Sequence, residues 1–241
     1  MRIMLLGYGK MGKTIEKIAV DKGHQVPFII DYNNIGELQN VKATDVDVAI
    51  EFTQPESAYH NVKYCIEQNI PVVCGTTGWL EKKSELEQLC ISKGSAFFYA
   101  SNYSVGVNLF FHFNKILAKI MGNYPIYQIS MDEIHHTEKK DAPSGTAITL
   151  AEGILENISN KKSWVNEATD DSTLLPIISK RIENVSGTHS VYFDSEVDSI
   201  EIKHTAHNRH GFASGAVVAA EWLIGKKGVF GMDDLLKLNI K

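Results

Sequence analysis

Short apolar runs and helix-spaced apolar positions take turns along the first hundred residues. Runs typical of buried strands occupy residues 3–6, 26–30, 46–50, 70–74 and 96–99. Between them the sequence has helical signals: apolar residues spaced three or four apart after the first strand, and Pro55 as a helix start. Strands that alternate with helices form a parallel sheet. We therefore predict an α/β domain with a doubly wound parallel sheet.

The pattern changes after about residue 102. A long amphipathic helix is predicted there, with Leu109, Phe113, Ile116 and Ile120 on one stripe. A helix from Thr146 to about Asn157 then lies among strands predicted at residues 127–133, 175–184, 188–193 and 199–205. This favours a second, α+β domain with mixed or antiparallel strands. Helices predicted from Ala213 to Leu223 and from Asp233 are expected to return to the first domain.

The first strand ends in the turn Gly7-Tyr8-Gly9-Lys10-Met11-Gly12, which leads into a helix. In this context the first glycine permits a tight turn, the second lets a pyrophosphate approach the backbone, and the third lets helix and strand pack closely. Asp31 ends the second strand, where a carboxylate can accept hydrogen bonds from an adenosine ribose. The motif predicts a Rossmann-type dinucleotide site; the alternative is a glycine-rich turn beside an ordinary surface aspartate.

Tyr32 follows Asp31, at a position where a basic residue would favour the 2′-phosphate of NADPH. We therefore expect NADH to be preferred, although Lys10 and Lys13 lie close enough in sequence to favour NADPH. Later strands also end in small or polar residues, which we expect at the cofactor edge of the sheet. These are residues 51–54, Gly75, Thr76, Thr77, Gly78, Ala100, Ser101, Asn102 and Tyr103.

The segment from Glu133 to Ala147 holds two histidines, two lysines and a Pro-Ser-Gly-Thr helix start. It follows a strand in which Tyr127, Ile129 and Met131 alternate with polar residues. Unpaired N–H groups at a helix start bind anions, and a carboxylate is the natural ligand. Histidine side chains exchange protons near neutral pH. The segment therefore predicts an acid/base group beside a carboxylate site, the alternative being a solvated loop without function.

Composition narrows the class of protein. The 241 residues carry a net charge of −5, which gives no electrostatic reason to expect a nucleic-acid or membrane partner. No apolar run approaches the ~20 residues that span a bilayer, and we expect no secretory signal because Met1-Arg2 leads directly into a strand. An odd number of cysteines without CxxC spacing suits the cytoplasm. His204, His207 and His210 are spaced three apart, but no metal is expected because no carboxylate or cysteine joins them.

The pattern HHxxKxDAPSGTA, together with GYGKMG, EFTQPES, CGTTGW and SNYSVGVN, closely resembles the 4-hydroxy-tetrahydrodipicolinate reductase family, also called dihydrodipicolinate reductase, from residue 2 to about residue 224. The resemblance implies a cytoplasmic homotetramer in the diaminopimelate route to lysine. It implies NADH- or NADPH-dependent reduction of a cyclic, unsaturated dicarboxylate to tetrahydrodipicolinate, with loss of water. The implied domains are residues 1–101 plus 211–241 for the dinucleotide, and 102–210 for substrate binding and oligomerisation.

Residue by residue, the resemblance implies that His135 donates a proton and that Lys139 is its catalytic partner. The residues implied to hold substrate carboxylates are His136, Ser144, Gly145 and Thr146. Those implied to hold the cofactor are Gly7, Tyr8, Gly9, Lys10, Met11, Gly12, Asp31, Gly75, Thr76, Thr77, Ala100, Ser101, Asn102 and Tyr103. We expect His135 and residues 144–146 to face the nicotinamide across a closing cleft.

The chain departs from the family pattern at two places. Thr137-Glu138 stands where the family often has basic residues, and the family's glycine-rich segment survives only in part, so Arg181 and His189 are left out of the predicted site. An aspartate-type dehydrogenase would share the glycine turn and the domain layout, and a non-catalytic NAD-binding sensor would need the glycine turn alone. Neither would need the histidine and Pro-Ser-Gly-Thr segment.

Overall fold

The computed structural model describes residues 1–208 and 210–238. The strands and α-helices, in chain order, are β1 (Arg2–Leu6), α1 (Lys10–Asp21), β2 (Gln25–Ile30), β3 (Val48–Glu51), α2 (Pro55–Glu67), β4 (Val72–Cys74), α3 (Lys83–Lys93), β5 (Ala96–Tyr99), α4 (Val105–Met121), β6 (Gln128–His135), α5 (Gly145–Leu155), β7 (Ser163–Val165), β8 (Leu174–Arg181), β9 (Gly187–Asp194), β10 (Ser199–Ala206), α6 (His210–Leu223), β11 (Gly228–Phe230) and α7 (Met232–Leu236). Two 3₁₀ helices occupy Tyr32–Asn40 and Leu80–Lys82.

The described chain divides into two compact units. One unit comprises Met1–Val105 with the described part of His210–Lys241, and the other comprises the described part of Gly106–Arg209. The domain limits predicted from the sequence, after residue 101 and before residue 211, differ from these by a few residues. Helix α6 packs against α1 and strands β3, β4 and β5, so this helix belongs to the first unit.

The first unit contains a six-stranded parallel sheet in the order β11-β5-β4-β3-β1-β2. Alternate residues of β1 belong to two separate cores. Ile3 and Leu5 pack in a core with residues of α1 and α6, whereas Met4 and Leu6 pack in a core with residues of α2 and α3. Because both faces of the sheet are covered, β1 reads as a continuous apolar run. The prediction of a doubly wound α/β sheet is confirmed.

The second unit contains a five-stranded mixed sheet in the order β10-β9-β6-β8-β7. β6, β9 and β10 are antiparallel neighbours, while β8 and β7 continue parallel to β6. One core joins strand residues such as Met131, Ile177 and Val191 with apolar residues of α4 and α5. The sequence prediction of a second α+β domain with mixed or antiparallel strands is confirmed.

Helix α4 buries a different face from the apolar stripe that the sequence shows. Phe113, Ile116 and Ile120, taken from the sequence as its apolar stripe, are 59%, 45% and 52% exposed. The buried positions are Val107, Phe110, Asn114, Ala118 and Met121. The interior accepts Asn114 because its side-chain amide donates to the Leu150 carbonyl at 2.9 Å. The helix therefore has apolar residues on two faces, and periodicity alone cannot decide which of them is buried.

Four short elements were not predicted from the sequence. β7 lies in the polar stretch after Asn157, β11 precedes α7, and the two 3₁₀ helices occupy Tyr32–Asn40 and Leu80–Lys82. Strands of three residues are too short to show a period. Within the described residues, no helix is both long and apolar enough to cross a membrane.

Candidate functional site

The glycine turn has the geometry that its spacing predicts. Gly7 has φ of 92°, and a Cβ on it would lie 2.1 Å from the Phe52 carbonyl oxygen. A Cβ on Gly12 would lie 2.2 Å from the Gly7 carbonyl oxygen, so helix α1 can approach the turn only with glycine there. A Cβ on Gly9 would meet nothing within 4 Å. Gly7 and Gly12 therefore serve the turn and its packing. The space beside Gly9 is open, and its predicted contact with a phosphate stays a prediction.

A cavity of about 510 Å³ opens at this edge of the sheet and is lined by Gly7, Tyr8, Gly9 and Asp31 among others. The Asp31 backbone N–H donates to the Asn34 side chain at 2.7 Å, which holds the start of the 3₁₀ helix. Tyr32 is 90% exposed beside it. Lys10 and Met11 begin helix α1. The volume suits part of a dinucleotide, so the described residues fit a nicotinamide cofactor.

A buried carboxylate joins the next two strand ends of this unit. Glu51, at the end of β3, is fully buried and accepts hydrogen bonds from the Thr53 amide at 3.1 Å and the Cys74 thiol at 2.9 Å. The Thr53 amide also donates to the Thr76 hydroxyl at 2.8 Å. Burial raises the pKa of the Cys74 thiol. These contacts hold the Gly75–Thr77 turn in place, with Thr76 buried and Thr77 exposed.

Residues 100–103 follow β5 at the same edge. Ala100 is buried and Ser101 is exposed, whereas Tyr103 is packed in the core with its hydroxyl donating to the Cys74 carbonyl at 2.7 Å. Burial raises the pKa of Tyr103 well above its ordinary value. A Cβ on Gly215 would lie 1.8 Å from the Tyr103 carbonyl oxygen, so that oxygen is also enclosed. The structure thus gives Tyr103 a packing role, and its predicted cofactor contact stays a prediction for the backbone alone.

In the second unit, the buried face of β6 changes from apolar to ionisable side chains. Ile129 and Met131 are followed on that face by Glu133, which has no exposed surface, and by His135, which is 8% exposed. Glu133 accepts hydrogen bonds from the Ser144 amide at 3.0 Å and the Ser179 hydroxyl at 2.7 Å. Burial by itself would raise the pKa of Glu133, but these hydrogen bonds outweigh it, and the pKa lies below its ordinary value.

Two imidazoles lie against this carboxylate. His135 Nδ1 is 3.6 Å from Glu133 Oε2, and His189 Nε2 is 3.7 Å from the same oxygen. The two rings meet edge to face with centroids 5.0 Å apart. Burial lowers the pKa of His189 to about 3, so that ring is neutral near pH 7. Burial also lowers the pKa of His135, with Glu133 acting in the opposite direction. His135 is therefore the ionisable imidazole of the pair.

Ser144 caps helix α5 from the adjoining loop. Its hydroxyl oxygen accepts from the Ala147 amide at 3.2 Å and lies 3.1 Å from His189 Nε2. Because the Ser144 amide donates to Glu133, its polar groups are engaged within the protein, and its predicted contact with a substrate carboxylate stays a prediction. Gly145 is exposed and Thr146 is half-buried. The N–H groups of a first helical turn have no partner within the helix, so these two residues are the better placed for an anion.

The predicted catalytic lysine has an acidic neighbour. Lys139 Nζ donates to both carboxylate oxygens of Asp141 at 2.8 Å, and this contact lowers the pKa of Asp141. Arg181 donates to the Asp141 backbone carbonyl at 2.6 Å, and its Nη2 is 3.4 Å from Glu133. Two cations therefore lie beside the imidazole pair, while His136 is half-buried next to His135.

Sequence reasoning missed three members of this cluster: Glu133, Arg181 and His189. The sheet register brings them together, because Glu133 pairs with His189 on β9 and with Ser179 on β8, and His135 pairs with Arg181. One signal was available in the sequence. Glu133 and His135 continue the alternating face that begins with buried apolar residues, and a carboxylate on such a face requires polar partners.

Glu133, His135 and His189 are also the only group that the described residues offer as ligands for a metal. The carboxylate already accepts two hydrogen bonds and has the Arg181 guanidinium beside it, which disfavours a divalent cation there. His204 instead stacks on Phe110 with ring centroids 5.9 Å apart. The predicted absence of a metal stays a prediction.

A glycine turn at the edge of a doubly wound parallel sheet, with a second unit that places a buried histidine near a helix start, defines a nicotinamide-nucleotide-dependent oxidoreductase. The family model described as "Dihydrodipicolinate reductase, N-terminus" matches residues 1–103, and that described as "Dihydrodipicolinate reductase, C-terminus" matches residues 106–236. The chain belongs to the dihydrodipicolinate reductase family. The predicted family and enzyme class are confirmed.

One relative agrees with this membership in sequence, and two solved structures share the fold. The chain is 49% identical over 239 residues to a protein of Christiangramia forsetii named 4-hydroxy-tetrahydrodipicolinate reductase, and the match covers 98% of both chains. Its fold resembles a dipicolinate-bound dihydrodipicolinate reductase from Paenisporosarcina, with a TM-score of 0.80, 23% identity, and coverage of 97% of this chain and 98% of that one. An engineered D-amino acid dehydrogenase bound to NADP⁺ has a TM-score of 0.53 at 14% identity, covering 100% and 99% of the two chains.

The glycine turn predicts that two alanine substitutions affect different properties, one the stability and the other the binding of NADH. Gly12→Ala should lower the free energy of unfolding by about 1–3 kcal/mol because its Cβ meets backbone. Gly9→Ala should fold normally but bind NADH at least about tenfold more weakly, because the methyl group occupies the phosphate space. Thermal unfolding and NADH titration measure both, with Gly36→Ala, which meets nothing within 4 Å, as the control. Equal effects of the two substitutions would contradict the assigned roles.

Proposed function

We propose that this chain catalyses the NADH- or NADPH-dependent reduction, with loss of water, of 4-hydroxy-tetrahydrodipicolinate to tetrahydrodipicolinate in the diaminopimelate route to lysine. Membership of the family, with a relative 49% identical over nearly the whole chain, supports the reaction class. The single structural observation that carries the proposal is a buried His135 on the same unit as the open helix start at Gly145 and Thr146. That combination provides a proton and a carboxylate site for one small dicarboxylate.

Residues of the first unit would hold the cofactor. The Gly7–Gly12 turn presents backbone N–H groups to the phosphates, and the Asp31 carboxylate accepts from the adenosine ribose. Gly75, Thr76 and Thr77, with residues 100–103, would border the nicotinamide at the same sheet edge. Loss of the 4-hydroxyl group and a ring proton as water would leave a conjugated ring, to which the reduced nicotinamide, when bound, would supply a hydride.

Residues of the second unit would complete the reaction. As negative charge develops on the substrate ring, protonated His135 donates a proton to it, and the Lys139 ammonium stabilises the anion or reprotonates the histidine. Gly145 and Thr146 amides, with His136 and Ser144, would hold the substrate carboxylates. His135 and residues 144–146 would have to face the cofactor when the two units close on each other, as inferred from the sequence.

The reaction can be tested by following NADH absorbance at constant enzyme concentration. Three substrates separate three functions: freshly generated product of the preceding synthase, oxaloacetate with ammonia, and buffer alone. We expect oxidation of NADH only with the first. Oxidation with oxaloacetate and ammonia would identify an aspartate-type dehydrogenase, and NADH binding without oxidation in any mixture would identify a sensor.

We propose that NADH is preferred over NADPH. Asp31 lines the cavity, where its carboxylate would repel a 2′-phosphate, and the exposed Tyr32 beside it supplies no cation. The value of kcat/KM should therefore be higher for NADH than for NADPH. Tyr32→Arg should raise kcat/KM for NADPH roughly tenfold by pairing with the phosphate, whereas the control Tyr32→Gln should not. A wild-type preference for NADPH would contradict the proposal.

Lys139 can be separated from its neighbour by substitution. Lys139→Ala should lower kcat/KM at least about tenfold, equivalent to about 1.4 kcal/mol of transition-state stabilisation, because a cation beside the developing anion is lost. Lys140→Ala is the matched control, since Lys140 is an exposed lysine one residue away. Steady-state kinetics measure both variants. A Lys139→Ala enzyme with unchanged kcat and KM would remove this lysine from the mechanism.

We also propose a cytoplasmic homotetramer. Exposed Phe113, Ile116 and Ile120 on α4 support self-association, because exposed apolar groups of this size often mark interfaces. Light scattering after size-exclusion chromatography should give roughly four times the chain mass of 26.8 kDa, and Phe113→Glu should lower that mass. A wild-type monomer would contradict the assembly.

A further inference from the structure

We propose that Glu133 is a positioning residue for the proposed reduction: its buried carboxylate orients the His135 imidazole and anchors the start of helix α5 together. The inference rests on the proposed role of His135 as proton donor. Neither the family motif HHxxKxDAPSGTA nor the sequence reasoning gives Glu133 a role, because it lies two residues before that motif.

Glu133 is buried, and hydrogen-bond donors surround its carboxylate. Glu133 has no exposed surface, and a buried carboxylate is tolerated only where donors surround it. The donors come from separate parts of the second unit: the Ser144 amide at 3.0 Å before α5, and the Ser179 hydroxyl at 2.7 Å on β8. Arg181 adds a guanidinium at 3.4 Å. Glu133 thus ties the helix start to the sheet, and displacing it would shift the residues proposed to bind the substrate carboxylate.

The two ring nitrogens of His135 face different neighbours. Its Nδ1 is 3.6 Å from Glu133 Oε2, beyond hydrogen-bond length but close enough for strong attraction once the ring is protonated. Nε2 lies on the other side of the ring, and a Cβ on Gly187 would be 3.2 Å from it. With Nδ1–H directed at the carboxylate, Nε2 is the nitrogen that delivers the proton. Glycine at position 187 leaves room for that nitrogen.

Charged groups from three parts of the second unit surround His135. The groups that act on it are Glu133 on its own strand, Lys139 and Asp141 on the following loop, Arg181 on β8, and neutral His189 on β9. Burial and the two cations favour the neutral ring, whereas Glu133 and Asp141 favour the imidazolium. Asp141 is largely exposed and paired with Lys139, so its charge is screened. Glu133 is therefore the main group that favours the His135 imidazolium, although burial keeps the pKa of His135 below its ordinary value.

The decisive variant is Glu133→Gln, which keeps the size of the side chain and removes its charge. Without that charge His135 holds its proton less tightly, and the fall of kcat at high pH should begin at a pH about one unit lower. At pH values above that point kcat should be roughly tenfold below wild type. Glu133→Asp, which restores a negative charge, should move this high-pH limb of the kcat profile most of the way back to its wild-type position. Asp132→Asn is the matched control, because Asp132 is on the opposite face of β6, where it pairs with Lys180.

A second variant covers the case in which Glu133→Gln does not fold. Ser179→Ala removes one hydrogen bond to the carboxylate, concentrates its negative charge and should move the same limb to higher pH. The opposite signs of the two shifts distinguish an electrostatic effect on His135 from general loosening. Unchanged limbs in both variants, or a shift of equal size in Asp132→Asn, would overturn the proposal.

A measurement without substrate separates this inference from the proposed function. The His135 imidazole can be titrated by NMR in the full chain, with its resonance identified by loss in His135→Asn. We expect a lower midpoint in Glu133→Gln than in wild type even if the enzyme turns over a different substrate. Equal midpoints would reject the role of Glu133 whatever the reaction is, whereas failure of NADH oxidation with the synthase product would reject only the proposed reaction.

Discussion

A carboxylate without access to water has to be matched by donors, and much of the second unit is arranged around one such match at Glu133. Its partners come from the loop before α5 and from β8, while imidazoles from β6 and β9 lie within 4 Å of it. Replacing an apolar residue by a buried charge costs stability unless all these groups are in place. The position of the helix start and the direction of His135 are consequences of satisfying that one charge.

The first unit uses the same principle at a different place. Glu51 is buried at the end of β3 and accepts hydrogen bonds from the turn after β3 and from Cys74, the last residue of β4; the turns after these strands border the predicted nicotinamide site. In each unit a carboxylate near the end of a strand fixes the loops that carry binding groups. Loops are the mobile parts of most folds, and an internal acceptor under each set holds them without occupying the surface that a ligand needs.

What the sequence predicts well is local. The first strand, the Gly7–Gly12 turn and the first helix are contiguous in sequence. His135, Lys139 and the capped start of α5 also lie within one short segment. The chemistry of both segments can therefore be predicted without knowledge of the fold. The union of Glu133 with His189 and Arg181 depends on strand register, which one sequence does not reveal. The sequence does not say which apolar face of α4 is buried, because burial there is decided by α5, through contacts such as Asn114 with Leu150.

The pairing of Lys139 with Asp141 changes how a charged molecule enters this site. Because the ammonium already has two carboxylate oxygens at 2.8 Å, a dianion that binds at the proposed site would have to replace an internal counterion. Lys139 would then exchange the Asp141 carboxylate for a carboxylate of the bound dianion. The association would depend less on ionic strength than the number of nearby basic side chains suggests. Asp141 is largely solvent-exposed, so water could hydrate its carboxylate once Lys139 contacts the bound anion.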